Sequence, residues 1–366
     1  MEQLETRKFL GLDFGRTSLQ FSVYDEGVHE THEESFPVAE DEGSFIENGL
    51  TALLRYMQVQ KLHWDDYSNV VMTMEEPTDE NRDLLSSLLP KEFKERHDIH
   101  IITRQRAFVE YVFHQEKMMW DRNTLLFDYT GDTLNCVLID QLRRSRKKGY
   151  RAEIKTIDLA EEGIFRDAPD RDQLFSKMIR QFLAKNSASI IYLTGDGFEG
   201  NWMKKTLTCM CAGRRVFMGQ NLYANGSCLL GLGTVNMMRE GMILCEGPDM
   251  VYHTVGVITS EGGKANYVPI TTIGKEWYNT RGSMDIIMDK SQRVEFFYHN
   301  TVENEIEVAS CELEDIPKRP PKTTRLRLTV EFSSPTEGTI LIEDMGFGQM
   351  FPGTHKITMF PFGLIS

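Results

Sequence analysis

Two similar strand–turn–strand segments constrain the possible folds of this chain more than any other feature. In the first, an apolar run ends at Asp13, and a turn containing Gly15 leads into an alternating apolar and polar stretch. The second segment repeats this order with Asp128 and Gly131. Because a glycine lets the backbone approach a ligand and successive amides form an anion-binding nest, each turn can bind phosphate oxygens. The repeat predicts two related halves that face a shared cleft.

Polar side chains and further glycines extend this predicted site. Mg²⁺ is usually held by one or two carboxylates besides phosphate and water, which fits one Asp in each turn. A later strand ends in Gly195-Asp196-Gly197 before a helix, an arrangement that can contact a sugar or a phosphate. Asp-x-Gly turns also join many hairpins that bind nothing, so ordinary turns stay an alternative. We expect the site to contain Asp13, Gly15, Arg16, Thr17, Asp128, Gly131, Thr133, Gly195 and Gly197, with Asp13 and Asp128 next to Mg²⁺.

Composition argues against several classes of partner. A net charge of −14 over 366 residues offers nucleic acid no broad basic face. Residues 143–148 form one basic run, which we interpret as a solvated loop rather than a binding patch. The six cysteines show no metal-ligand spacing. With neither a signal peptide nor a long apolar run, the sequence predicts a cytoplasmic protein that binds no membrane.

The order of predicted elements indicates two domains. Strands and helices alternate over residues 1–246, which is typical of an α/β fold. From about residue 251 short alternating strands with glycine and proline turns replace the helices, so residues 247–366 are expected to form an antiparallel β-sandwich. Residues 221–231 are rich in small side chains and predict a helix at a close helix crossing.

This order of motifs resembles the superfamily of actin, sugar kinases and heat-shock-chaperone ATPases, and most closely the DnaK-type (seventy-kilodalton) chaperones. Asp13, Gly15 and Thr17 match the first phosphate loop of that family, and Asp128, Gly131 and Thr133 match the second. Gly195 matches its adenosine turn and Gly226 the glycine of its second connecting helix. The resemblance implies a two-lobed actin-like, ribonuclease H-like ATPase fold that binds ATP or ADP with Mg²⁺.

The chain also departs from the family pattern. Two glycines of the second phosphate loop are lost, and Asp132 brings a carboxylate that would repel phosphate unless a cation lies between them. Arg104 stands where the family has a Glu that organises metal and water, and the region of the catalytic Lys is largely missing. Hydrolysis is therefore expected to be slow or absent. Arg16 could compensate by binding phosphate, or it could point to solvent or pair with Asp132.

The C-terminal third resembles the peptide-binding domain of the same chaperones. The stretch from His253 to Thr259 matches its first strand, and Val268 to Ile273 matches its Pro-x-x-Thr-Thr-Ile element. No helical lid like that of the family is expected, because no long helical pattern follows the strands. The resemblance implies a chaperone-like, nucleotide-binding protein that holds a peptide or protein client through this domain. A degenerate, non-catalytic scaffold or regulatory protein of the same fold and, with less support, a small-molecule kinase are the alternatives.

Overall fold

A computed structural model describes residues 7–38, 44–75, 77–97, 99–120, 122–142, 149–232, 245–246, 249–261, 264–300 and 305–364. The basic run at residues 143–148 lies outside these ranges. By the contacts between residues the chain divides into two compact units, residues 1–142 with 150–242 and residues 143–149 with 243–366. The domain boundary placed at residue 246 stays a prediction.

The first half of the first unit is a mixed sheet covered by helices. Its strands are β1 (Lys8–Phe14), β2 (Ser18–Asp25), β3 (Glu30–Pro37), β4 (Asn69–Met74) and β5 (His100–Thr103). They lie in the order β3-β2-β1-β4-β5, with β1 to β3 antiparallel and β4 and β5 parallel to β1. The helices are α1 (Phe45–Gln60), α2 (Asp79–Leu88), α3 (Lys91–Arg96) and α4 (Arg104–Phe113).

The second half repeats this topology. Its strands are β6 (Thr124–Thr130), β7 (Thr133–Leu142), β8 (Gly149–Asp158), β9 (Ile190–Thr194) and β10 (Arg215–Met218). They lie in the order β10-β9-β6-β7-β8, the same arrangement as in the first half, with β9 parallel to β6. The helices are α5 (Arg171–Lys185), α6 (Lys204–Met210) and α7 (Leu222–Leu232). The two related α/β halves expected from the repeated Asp turns are present.

Helix α7 packs closely against the first half because its contact face is made of small residues. A Cβ added at Gly226 would lie 1.7 Å from the backbone oxygen of Ala107 in α4. A Cβ at Gly11 in β1 would lie 2.0 Å from the backbone oxygen of Ala224. Only glycine permits such distances, so the close helix crossing predicted for residues 221–231 is confirmed.

The second unit is built from antiparallel strands. They are β11 (Cys245–Glu246), β12 (Met250–Val251), β13 (His253–Glu261), β14 (Lys264–Pro269), β15 (Lys275–Glu276), β16 (Arg281–Met288), β17 (Arg293–Asn300), β18 (Glu305–Glu312), β19 (Thr324–Phe332), β20 (Glu337–Asp344), β21 (Gly346–Phe347), β22 (Phe351–Pro352) and β23 (Ile357–Gly363). Two four-stranded sheets have the orders β14-β13-β17-β18 and β16-β19-β20-β23. Buried side chains of both sheets, such as Val255, Phe296, Leu328 and Ile340, form one hydrophobic cluster.

None of the helices in the described part of the chain is both long and apolar enough to cross a membrane.

Candidate functional site

The topology brings the ends of three parallel strands to one edge of the first sheet. β1 and β4 pair in register from Phe9 to Phe14, so that Asp13 lies opposite Thr73. β4 pairs in turn with β5, whose last residue is Thr103. Glu75, directly after β4, and Arg104, directly after β5, therefore lie near Asp13 at the same edge. Arg104 also begins α4, where the Thr103 hydroxyl accepts a hydrogen bond from the amide of Arg106 at 3.1 Å.

Arg104 forms a two-bond ion pair with Asp13. Its Nε donates to Asp13 Oδ1 and its Nη2 to Asp13 Oδ2, both at 2.9 Å. The side chain of Asp13 is 3% exposed and that of Arg104 is 17% exposed, so water screens this pair weakly. Arg104 Nη1 also lies 3.8 Å from Glu75 Oε2. Both oxygens of the Asp13 carboxylate are thus bonded to a cation of the protein itself.

Asp128 occupies the equivalent position of the second half and is also bonded by the protein. The Tyr223 hydroxyl donates to its Oδ2 and the Thr130 hydroxyl to its Oδ1, each at 2.7 Å. Tyr223 is the second residue of α7, and its ring lies under the Arg104 guanidinium, 4.9 Å from the ring centre to the guanidinium carbon. We call Asp13, Glu75, Arg104, Asp128 and Tyr223 the central cluster.

The charged groups of the central cluster shift one another's pKa values. Burial disfavours a charge on Arg104, but Asp13 and Asp128 outweigh it and raise the pKa of Arg104 above its ordinary value. Burial raises the pKa of Asp13, Arg104 opposes this rise, and Asp128 adds to it. Burial and the neighbouring Asp128 carboxylate raise the pKa of Tyr223, so its phenol keeps the proton that it donates. The cluster is therefore held by one cation and one neutral donor.

The backbone amides of both turns, where we predicted phosphate contacts, donate to carboxylates of the protein. The amide of Arg16 donates to Glu75 Oε2 at 3.0 Å, and that of Gly131 donates to Asp196 Oδ1 at 3.3 Å. Glu75 follows β4 and Asp196 follows β9, so the two halves use equivalent positions for this contact. A carboxylate is the chemical counterpart of a phosphate oxygen as an acceptor for backbone amides.

Arg166 fixes the turn of the second half. It donates to both oxygens of Asp196 at 2.8 and 3.0 Å and to the backbone oxygen of Gly131 at 2.7 and 3.0 Å. Burial raises the pKa of Asp196, but Arg166 and the amides of Gly131 and Gly197 outweigh it and lower the pKa. The exposed Asp132 acts on Arg166 as well, since its charge raises the pKa of that guanidinium.

The remaining predicted residues have structural roles in this geometry. A Cβ at Gly195, whose φ is +98°, would lie 2.3 Å from the backbone oxygen of Tyr129, and one at Gly197 would enter the Tyr129 ring. Gly15 lies against Arg104, with 3.1 Å between an added Cβ and Nη2. Thr17 is exposed, and its backbone oxygen accepts from the amide of Val38 at 2.9 Å. Thr133 closes a two-residue turn by pairing with Thr130.

Three residues at this site were missed from the sequence: Glu75, Tyr223 and Arg166. Glu75 carried a weak signal, because it follows a buried strand as Asp196 does. Tyr223 and Arg166 carried none, since each reaches its carboxylate through tertiary packing. Arg104 departs visibly from the pattern of the family that the sequence resembles, but its pairing with Asp13 follows only from the register of the parallel strands.

These residues do not fit a Mg²⁺–nucleotide complex as arranged. A Mg²⁺ ion beside Asp13 would lie against the Arg104 guanidinium, which bonds both Asp13 oxygens, and the two cations would repel each other. The Asp128 oxygens accept hydrogen bonds from Thr130 and Tyr223. Within the described ranges no group of three or more His, Cys, Asp or Glu side chains is placed to hold a metal. The Arg104 guanidinium lies next to Asp13, where the sequence predicted Mg²⁺.

Two described protein families match this chain. Residues 23–246 match the family described as "Family of unknown function (DUF5716) C-terminal", and the chain belongs to that family. Residues 250–364 match the "Domain of unknown function (DUF8552)". No curated protein sequence is similar to the chain.

Solved structures show only distant likeness. An activator of 2-hydroxyisocaproyl-CoA dehydratase from Clostridium difficile, with bound ADPNP, is 11% identical over 64% of this chain and 97% of its own, with a TM-score of 0.40. A polyphosphate/ATP-glucomannokinase from Arthrobacter sp. strain KM is 10% identical over 64% and 99%, with a TM-score of 0.40. A hexokinase from Thermus thermophilus is 11% identical over 62% and 99%, with a TM-score of 0.37. TM-scores this low carry no argument about fold or function.

Proposed function

We propose that this chain is a non-catalytic, partner-binding protein with the actin-like ATPase fold. Two α/β halves of identical strand order, each with an Asp hairpin, support that fold. The ion pair between Arg104 and Asp13 is the main observation in support of the proposal that the protein neither binds nor hydrolyses ATP. This is the scaffold or regulatory alternative of the sequence analysis. Closeness to the DnaK-type chaperones stays a prediction from the sequence.

In this proposal the protein supplies both charges that Mg²⁺–ATP would bring. The Arg104 guanidinium takes the place of the metal between Asp13 and Asp128, and the carboxylates of Glu75 and Asp196 take that of phosphate oxygens. Since like charges close together repel, ATP could enter only if Glu75 and Asp196 moved away. The two halves are held by internal contacts that require no ligand.

A thermal-shift and turnover experiment tests the proposal. Anything that binds only the folded state raises its melting temperature, by an amount that grows with the ligand concentration over Kd. Millimolar ATP or ADP with Mg²⁺ is expected to leave the melting temperature of the protein unchanged, and single-turnover assays to detect no hydrolysis. A rise with ATP and Mg²⁺ that is absent in Asp13→Ala would overturn the proposal.

We also propose that the second unit, inferred to be a β-sandwich, binds the partner. Ile258, Tyr267, Phe297, Ile306 and Val308 lie on the outer side of the sheet β14-β13-β17-β18, as the strand register shows. We call them the outer apolar patch. Ile258, Ile306 and Val308 are 50%, 60% and 54% exposed, and β18 is an edge strand of this sheet. An extended apolar segment could add to that edge and cover the patch.

The partner surface can be tested with a labelled, extended Val/Leu-rich peptide in fluorescence anisotropy. Ile306→Asp with Val308→Asp is expected to abolish saturable binding, because two charges would then face the apolar segment. Ile357→Asp with Met359→Asp, at positions 57% and 68% exposed on an edge strand of the other sheet, is the matched control and should bind as wild type does. Equal binding by all three proteins, or none by wild type, would contradict this surface.

A further inference from the structure

A groove on the second half of the first unit is strongly basic. It lies between α5 and α6, has a volume of about 840 Å³, and contains Lys177, Arg180, Lys205 and Arg214 in its lining. No carboxylate contributes to that lining. The groove therefore differs in sign from the chain as a whole, whose net charge is −14.

Asp172 fixes the two walls of this groove at one end. It lies in the first turn of α5, and its oxygens accept from the amides of Lys205 and Thr206 at 2.7 and 2.9 Å and from the Thr206 hydroxyl at 2.8 Å. These bonds lower the pKa of Asp172 although its burial raises it, so the carboxylate stays ionised. The groove is therefore a preformed feature of the helix pair rather than a gap between loose elements.

Two of the four basic side chains are fully available to an external anion. The other two also donate within the protein, Lys205 to Gln173 Oε1 at 3.3 Å and Arg214 to two backbone oxygens at 3.2 and 3.0 Å. Lys177 and Arg180 lie on the same face of α5 and are both exposed. In the described part of the chain, neither of them has a carboxylate within ion-pair distance. Residues 173–214 contain six Lys or Arg and only two acidic residues, Asp196 and Glu199. Asp196 is already bonded to Arg166.

Apolar atoms lie between these cations. Leu183, Ala184, Ala212 and Cys209 contribute to the floor and sides of the groove. A helix-in-groove complex needs such a mixture, with apolar anchors in the centre and charges at the rim. Single-stranded nucleic acid is recognised instead by aromatic platforms along a basic track, and the groove is lined by no aromatic side chain.

From these observations we propose that the groove between α5 and α6 binds an acidic, amphipathic helical segment of a partner protein. Carboxylates of the segment pair with Lys177, Arg180, Lys205 and Arg214, and its apolar side chains contact the exposed Ala184 and Ala212. None of these residues belongs to the central cluster or to the outer apolar patch. Binding here is therefore separate from the loss of nucleotide chemistry and can be tested independently of it.

The test uses the full chain and a fluorescent amphipathic helical peptide built from Glu and Leu. Lys177→Glu with Arg180→Glu is expected to weaken peptide binding by on the order of tenfold, equal to about 1.4 kcal/mol. Lys185→Glu with Lys204→Glu changes the net charge by the same amount at exposed positions outside the groove lining, one on α5 and one on α6, and should bind within about twofold of wild type. Both variants should keep the wild-type melting temperature, since the four residues are exposed.

Three results would overturn this proposal. The first is the absence of saturable binding by wild type at low ionic strength. The second is an equal loss of affinity in both double variants, which would indicate attraction by overall charge alone. The third is tighter binding of a single-stranded oligonucleotide than of the peptide.

Discussion

At the scale of single residues, Arg104 decides the electrostatics of the central cluster. Its position at the start of α4 is unfavourable for a cation, because the helix dipole places partial positive charge there. Asp13 and Glu75 offset this cost by lying within 4 Å of the guanidinium. A Glu at this position, as in the family that the sequence resembles, would suit the helix dipole but would add a fourth carboxylate to those of Asp13, Glu75 and Asp128.

Replacing Arg104 with Gln is expected to destabilise the protein by about 3–5 kcal/mol, because Asp13 would keep a buried charge without its partner. The loss should shrink as the pH falls, since burial raises the pKa of Asp13 and protonation then relieves the unpaired charge. Urea unfolding at several pH values measures both effects. Arg16→Gln, with a side chain 57% exposed beside Glu75, is the matched control and should change the free energy of unfolding by less than about 0.5 kcal/mol.

Adding Asp13→Asn to Arg104→Gln should recover much of this stability, because the pair is then replaced by neutral groups. Equal stability of Arg104→Gln and Arg16→Gln would show that the ion pair contributes nothing.

The bonds that Asp344 accepts predict that the second unit loses stability at low pH. It is fully buried and accepts bonds from Arg319 at 2.7 Å to each oxygen, from the amide and hydroxyl of Thr354, and from the amide of Gly346. Burial raises the pKa of Asp344, but these bonds outweigh it and lower the pKa far below the ordinary value. The stabilisation is therefore complete above about pH 4, the range of an unfolded Asp, and is lost as the pH falls further.

Asp344→Asn should lower the unfolding free energy by about 3–5 kcal/mol at neutral pH, and its difference from wild type should diminish below about pH 4. Calorimetric unfolding of the full chain from neutral to acidic pH measures this. Asp285→Asn removes a comparable but exposed pair with Arg327 and should cost about 1 kcal/mol or less. A difference for Asp344→Asn that is small or independent of pH would contradict the assignment.

At the scale of elements, the position of α7 depends on glycines that no polar or apolar pattern reveals. Gly226→Ala would drive a methyl group into the backbone of Ala107, and we expect a loss of about 3 kcal/mol or more in the free energy of unfolding. Gly231→Ala, on the same helix, has its nearest neighbouring atoms at 3.6 Å and should be neutral or stabilising by up to about 1 kcal/mol. Chemical denaturation compares the two, and equal effects would show that α7 adapts to added volume.

The sequence predicted elements better than it predicted contacts. The alternation of apolar and polar residues and the run of small residues predicted the α/β order of the first unit, the helix at residues 221–231 and the strands of the second unit, because these signals are local. The repeated Asp hairpins predicted that the two halves have related folds. The partners of Asp13 and Asp128 could not be predicted, since Arg104 and Tyr223 meet them only after the strands take their register and α7 docks. The basic groove was missed for the same reason, because its cations come from α5, from α6 and from the segment between α6 and β10.

At the scale of the whole molecule, two independent surfaces are proposed for partners and the cleft is proposed to be closed to nucleotide. The outer apolar patch lies on the second unit, and the basic groove lies on the second half of the first unit. Neither proposal requires turnover, so the protein would act through what it binds. Its fold would then serve to hold binding surfaces rather than to convert ATP hydrolysis into motion.

Isothermal titration calorimetry with Mg²⁺–ATP and Mg²⁺–ADP tests the central claim most directly. The wild-type protein, whose Asp13 is bonded by Arg104, is expected to give no saturable heat at millimolar nucleotide, and Asp13→Ala should behave in the same way. Saturable, Mg²⁺-dependent binding by wild type that disappears in Asp13→Ala would contradict the claim, because Asp13 would then face a metal rather than Arg104.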